Sequence, residues 1–213
     1  MKQKNIIGIV DFQAGNITSL RNSISFLGYK SLLVKKPNDI KKFSKIILPG
    51  VGSFDTAMKN LKKNKIDQEL RNYVKKKSNK LLGICLGMQL LFEKSEETNN
   101  DEKFVQGLSI IKGSVESFST QRKKRFNIGW SEVQTKKNND LFLGLVKSEN
   151  FFYFVHGFYC KNNDKKATVS FTKFKNIKFC SSIQKNNNIF EVQFHPEKSL
   201  KSGLILLKNF CKH

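Results

Sequence analysis

A chain of 213 residues, 38% of them hydrophobic, is long enough to bury the core of one ordinary domain, and its apolar segments recur too regularly for disorder. No apolar stretch approaches the ~20 residues of a membrane span. The net charge of +22 invites a nucleic-acid partner, but the lysines lie in scattered short runs without helix-turn-helix spacing, a zinc finger or an aromatic RNA-binding strand.

The elements follow in order. Met-Lys-Gln-Lys-Asn precedes a short apolar run, Ile6 to Val10, which reads as a buried parallel strand and is too short for a secretory signal; a cytoplasmic protein is expected. Asn16 is placed to cap a helix with Ile17, Leu20, Ile24 and Leu27 on one stripe and Gly28 as its stop. Leu32 to Val34 is a strand, Pro37-Asn38-Asp39 a helix start, and Lys45 to Leu48 a strand broken by Pro49-Gly50-Val51-Gly52. Ser53 caps a helix through Leu61, a second helix runs from Ile66 to Lys77, and Lys80 to Ile84 is a strand with Cys85 at its end. Lys94 to Lys103 is polar and reads as a surface loop.

From Ser109 the texture turns to β: Ile110-Ile111, Val115 to Phe118, Trp130 to Val133, Phe151 to Val155, Ala167 to Phe171, Ile177 to Cys180 and Ile189 to Phe194. An amphipathic helix, Ser199 to Cys211, follows. The pattern predicts an α/β fold: a central, mostly parallel sheet flanked by helices, with an additional antiparallel β region in the second half. No repeat or linker divides it, so residues 1–213 are expected to form a single domain. Cys85, Cys160, Cys180 and Cys211 lie far apart with no C-x-x-C pair and no histidine at ligand spacing; reduced thiols are expected, with no metal.

Gly83-Ile84-Cys85-Leu86-Gly87 has the G-x-C-x-G form of a nucleophile elbow in its thiol version. The glycines permit a sharp turn, and a helix starting just after Cys85 turns its positive end toward the sulfur. On the pentapeptide alone, a buried structural cysteine is an equally good reading. His195-Pro196-Glu197 follows another strand, at the end where open α/β sheets bind ligands. A cysteine nucleophile needs a base, and the base needs an orienting group; Cys85, His195 and Glu197 supply the three. Pro49-Gly50-Val51-Gly52 lies at a third strand end, where the N–H groups of Val51 and Leu86 would make an oxyanion hole. By itself it would be an ordinary βα turn.

Together these motifs, with Phe154-Val155-His156 and Gln193-Phe194-His195-Pro196-Glu197-Lys198-Ser199, resemble the triad-type (class I) glutamine amidotransferases nearly from end to end. Within them the chain is most similar to the HisH glutaminase subunits of imidazole glycerol phosphate synthase. The resemblance implies that Cys85 attacks the glutamine carboxamide, His195 shuttles the proton and Glu197 orients it. It implies an oxyanion hole at Val51 and Leu86. Gly52, Gln89, Glu97, Gly157 and Phe158 would bind substrate, and Asn16, Trp130, Tyr153 and Lys198 would face a partner. That partner would be a (βα)₈-barrel cyclase of HisF type, in a heterodimer that aminates a phosphoribulosyl aminoimidazole-carboxamide nucleotide. No cofactor is implied.

The chain departs from the subfamily at three places. Phe126-Asn127-Ile128-Gly129-Trp130-Ser131 stands for Pro-His-Met-Gly-Trp-Asn, Gly157-Phe158 for Ser or Thr and Tyr, and Asp11-Phe12-Gln13-Ala14-Gly15-Asn16 for Asp-Tyr-Gly-x-Gly-Asn. These leave open a related glutaminase that supplies ammonia to a sugar amidotransferase in surface-polysaccharide synthesis. Two readings of another class are a stand-alone cysteine hydrolase and a basic binding module without catalysis.

Overall fold

The computed structural model describes residues 3–13, 17–99, 102–119, 123, 125–136, 139–146, 149–164 and 166–213. The first part alternates as the apolar periodicity requires: β1 (Gln3–Val10), α1 (Ile17–Phe26), β2 (Lys30–Val34), α2 (Pro37–Ile40), β3 (Phe43–Leu48), α3 (Phe54–Lys63), α4 (Ile66–Tyr73), β4 (Lys80–Ile84) and α5 (Leu86–Leu90). Strands β5 (Phe92–Ser95), β6 (Val105–Gln106), β7 (Ile111–Ser117), β8 (Asn127–Glu132), β9 (Gln134–Thr135), β10 (Phe151–His156), β11 (Phe158–Asn162), β12 (Thr168–Phe174), β13 (Ile177–Lys185) and β14 (Ile189–Val192) follow, with α6 (Leu200–Lys212) at the end.

The main sheet has the order β2-β1-β3-β4-β14-β13-β11-β7-β5-β6. Its first five strands are parallel, and β14-β13-β11-β7 continue it antiparallel. Strands β12 and β9 branch from β13, and β8 with β10 makes a separate antiparallel pair. Apolar residues fill both faces. Val10, Ile46, Leu48 and Leu81 pack with α2 to α5 in one layer; Ile9, Ile47, Ile84 and Val192 pack with α1 and α6 in the other. The second layer is rich in aromatics: Phe152 and Phe194 stack at 4.1 Å, and Phe154 meets Phe194 edge-on. Each such ring fully removed from water contributes roughly 1.5–3 kcal/mol.

Register sets out the site. Gly83 lies opposite both Glu191 on β14 and Leu48 on β3. Three neighbouring parallel strands therefore end side by side, carrying Cys85, His195 and the loop at Pro49. This is the carboxyl edge where open α/β sheets present ligand-binding groups.

Several local expectations change. The Asn16 cap lies outside the described residues. Ser53 stands at the N-cap of α3, but its hydroxyl donates to Thr56 Oγ1 rather than capping the backbone; Glu97 Oε2, from a distant loop, accepts the Phe54 N–H at 3.0 Å instead. Helix α4 stops at Tyr73, short of Lys77, because its last carbonyls are taken by amides: Asn79 Nδ2 donates to Tyr73 O and Asn188 Nδ2 to Val74 O. The segment Lys94 to Lys103 is not all loop. Lys94 and Ser95 belong to β5 and pair with β6 and β7, with Ser95 fully buried. No helix among the described residues is long and apolar enough to cross a membrane.

Candidate active site

Cys85 occupies a strained turn. Its φ of 52° and ψ of −109° lie where a side chain other than glycine costs about 1–3 kcal/mol. The turn closes because two glycines, one in the elbow and one in the adjoining loop, lack side chains. A Cβ on Gly87 would stand 1.8 Å from the Leu48 carbonyl oxygen, and one on Gly50 would stand 2.8 Å from Leu86 Cβ. The elbow therefore packs directly onto the Pro49–Gly52 loop, bringing Leu86 and that loop together. Val51 is 39% exposed, and Gly52 has φ +113°.

Helix α5, with Cys85 as its N-cap, is only five residues long, so its dipole is a modest influence on the sulfur. The thiol faces the Val155 carbonyl at 4.0 Å and receives the Gln193 amide N–H at 3.8 Å.

His195 emerges just past β14. Its Nδ1 donates to Glu197 Oε1 at 2.8 Å, while Nε2 is buried with no hydrogen-bond partner. Burial alone would pull the imidazole down. The neighbouring Cys85 and the Glu197 carboxylate outweigh it and push the ring up to about 10. The turn is held by its backbone: His195 N–H donates to Tyr153 O, Ser199 Oγ donates to His195 O at 2.6 Å and accepts from Tyr153 N–H.

The residues expected to hold substrate are arranged unequally. Gln89 is buried, its Nε2 donating to Phe158 O at 3.0 Å and to Gln193 Oε1 at 3.3 Å. Glu97 is tied to the N-terminus of α3, and burial raises its carboxyl above the ordinary range. The carbonyls of Gly157 and Phe158 both point at protein groups, the first accepting from Phe118 N–H and the second from Gln89 and His156.

Of the partner-facing set, Trp130 and Tyr153 meet edge-on at 6.1 Å and Lys198 Nζ lies 5.8 Å from the Tyr153 ring. Asn16 is outside the described residues.

Gln193, His156 and Asn127 form part of the same constellation, although sequence reasoning gave none of them a role. His156 Nδ1 donates to Phe158 O at 2.6 Å, and its Nε2 accepts from Asn127 Nδ2 at 3.2 Å. Burial depresses this imidazole to about 4, so it is neutral. The signal lay in the motifs themselves: a Gln two positions before His195 and a His ending the strand beside it. All four cysteines are free and buried, and the described residues hold no cluster of metal-ligand type.

The profile of the family "Glutamine amidotransferase class-I" matches residues 8–213. The chain is 39% identical to "Imidazole glycerol phosphate synthase subunit HisH" of Chlorobaculum tepidum, over 97% of this chain and 100% of that one. It is also 39% identical to "Imidazole glycerol phosphate synthase subunit HisH 1" of Campylobacter jejuni, with the same coverage. Among solved structures, PurLQS from Thermotoga maritima superposes with a TM-score of 0.75 at 18% identity, covering 100% of this chain and 99% of that one; this likeness concerns the fold. With the profile spanning nearly the whole chain and full-length relatives at this identity, the chain belongs to the class-I glutamine amidotransferases, enzymes that hydrolyse glutamine.

Proposed function

We propose that this chain is the glutaminase subunit of an imidazole glycerol phosphate synthase, acting as one domain in the cytoplasm and passing ammonia to a HisF-type (βα)₈-barrel cyclase for histidine biosynthesis. The observation that carries the chemistry is the Nδ1–Oε1 contact of 2.8 Å between His195 and Glu197, set beside a cysteine held at φ 52°. Full-length similarity to proteins named as HisH subunits carries the pathway.

In this reading the Cys85 thiolate attacks the carboxamide carbon of glutamine, forming the C–S bond while the carbonyl oxygen gathers charge toward the N–H groups of Val51 and Leu86. His195, oriented by Glu197, gives a proton from Nε2 to the amide nitrogen. The C–N bond breaks and ammonia leaves a γ-glutamyl thioester. Water then attacks, loses its proton to His195, and the C–S bond breaks to release glutamate. Gly52, Gln89, Glu97, Gly157 and Phe158 surround the amino-acid end of the substrate.

A docking face supports the need for a partner. In the β8–β10 pair, Phe152, Phe154 and His156 turn inward, so Phe151, Tyr153 and Val155 turn outward beside Ile128 and Trp130. An antiparallel pair usually turns polar residues to water. Here Ile128 is 65% and Trp130 48% exposed, and Phe126 just before β8 is 57% exposed. A contiguous apolar face of this kind marks an interaction site. Its strand β10 touches the site twice, through Tyr153 O to His195 and Val155 O to Cys85.

The test is reconstitution with the HisF-type cyclase of the same source. A one-to-one complex and glutamine-dependent formation of imidazole glycerol phosphate are expected. Glutamine hydrolysis without transfer to that cyclase would redirect the ammonia to a sugar acceptor, and no hydrolysis in any complex would overturn the reading.

A further inference from the structure

The polar groups beneath Cys85 can be oriented one after another, starting from a carbonyl that can only accept. Phe158 O takes Gln89 Nε2 at 3.0 Å and the His156 ring nitrogen at 2.6 Å, which fills both lone pairs. That fixes the amide of Gln89 with its nitrogen at the crossing, and its second N–H goes to Gln193 Oε1 at 3.3 Å. Cys160, kept as a thiol by burial, donates its S–H to the same oxygen at 3.6 Å. With its oxygen committed twice, Gln193 must turn its NH₂ toward Cys85, and Nε2 stands 3.8 Å from the sulfur. Gln193 is fully buried, which leaves no surface for water to reach it.

We propose that Gln193 is a catalytic residue of the glutaminase reaction, donating its amide N–H to the Cys85 sulfur whenever that sulfur carries charge. The inference rests on Cys85 being the nucleophile. The sulfur is charged at two points: as the thiolate before attack, and again as the C–S bond of the thioester breaks. A donor held in place without water stabilises both. During the thioester stage the sulfur is neutral and the contact weakens, so its effect falls on the steps rather than on glutamine binding. A fixed donor adds to what His195 supplies from the other side of the thiol. Helix α5 is short, and Val155 O, which also faces the thiol, is an acceptor with no proton to give a charged sulfur. The ionisable side chains around Gln193 leave its role as a neutral donor intact: Cys160 and Glu191 are kept uncharged by burial, and the His195 charge beside Cys85 has the sign that favours thiolate, with the Glu197 carboxylate bound to the ring's Nδ1.

The test uses Gln193→Met in the complex with the synthase partner, with two readouts. Expected are a kcat for glutamine lowered about tenfold with KM within about threefold of wild type, and a pH midpoint for iodoacetamide alkylation of Cys85, read by mass spectrometry of the Cys85 peptide, raised by about one unit. An unchanged kcat and midpoint, or a change in KM alone, would show that Gln193 only supports Gln89 and would overturn the proposal. If Gln193→Met does not fold, Gln193→Leu likewise removes the donor; its alkylation midpoint is expected to rise by a similar amount, and a midpoint equal to wild type overturns the proposal equally. The alkylation profile needs no turnover. An absence of glutaminase activity in the wild-type complex would thus count against the proposed function while Gln193 is still decided.

Discussion

Nδ1 of His195 lies 2.8 Å from Oε1 of Glu197 with only Pro196 between them in the chain. A base and its orienting acid this close in sequence need a turn that aims both side chains the same way. Proline's fixed φ and the Ser199 hydroxyl on the His195 carbonyl supply it. Replacing Glu197 with Gln keeps the shape and removes the charge that helps hold the imidazole near 10. Glutamine-dependent turnover in the complex is expected to fall on the order of a hundredfold or more, with ammonia-dependent synthesis by the partner retained. Equal turnover in the variant would remove Glu197 from the mechanism.

The strain at Cys85 predicts a separation of stability from activity. Cys85→Ala and Cys85→Gly should both abolish use of glutamine while the complex still works with added ammonium salt. Glycine alone relaxes a positive φ, so Cys85→Gly should be more stable than Cys85→Ala by about 1 kcal/mol in denaturant unfolding. Loss of both glutamine- and ammonia-dependent activities would make Cys85 structural, and equal stabilities would mean the turn is unstrained.

The exposed face of β8 and β10 predicts where partner affinity resides. Trp130→Ala removes a half-exposed ring braced edge-on by Tyr153. The dissociation constant for the cyclase is expected to rise by roughly 30-fold, about 2 kcal/mol, with stability of the isolated chain changed by no more than about 0.5 kcal/mol. Titration calorimetry of variant and wild type decides it; unchanged affinity would move the docking face elsewhere.

What was legible in the sequence follows from physical range. The parallel strands and their helices announce themselves through apolar periodicity, and the elbow and His195-Pro196-Glu197 are local motifs, so both were readable. Helix ends set by remote partners were not: α4 stops where Asn188 reaches its carbonyls, and Glu97 takes over the start of α3. Strand β11, Phe158–Asn162, mixes aromatic and polar residues without clean alternation because it runs inside the sheet between β7 and β13. Glu191 sat unseen in a run read only as a buried strand, and Gln193 stood in a quoted motif without a role. Whether a polar residue there is paired or orphaned depends on strands far away in sequence.

Glu191 supplies the last prediction. It is fully buried on β14, neither carboxylate oxygen has a hydrogen-bond partner, and burial pushes its carboxyl well above the ordinary 4.5. The folded state therefore keeps the proton that the unfolded chain releases once the pH passes about 4.5. The sign follows: the folded state is favoured most below that value and loses stability as pH rises, by about 1.4 kcal/mol per unit while the folded group stays protonated. Glu191→Gln cannot titrate. Its stability relative to wild type should climb as pH rises from 5 toward 8 in urea unfolding for as long as the folded carboxyl keeps its proton, whatever constant offset the new amide adds. Parallel stability curves for the two proteins across that range would show that Glu191 is ionised in the fold and that a compensating charge accompanies it.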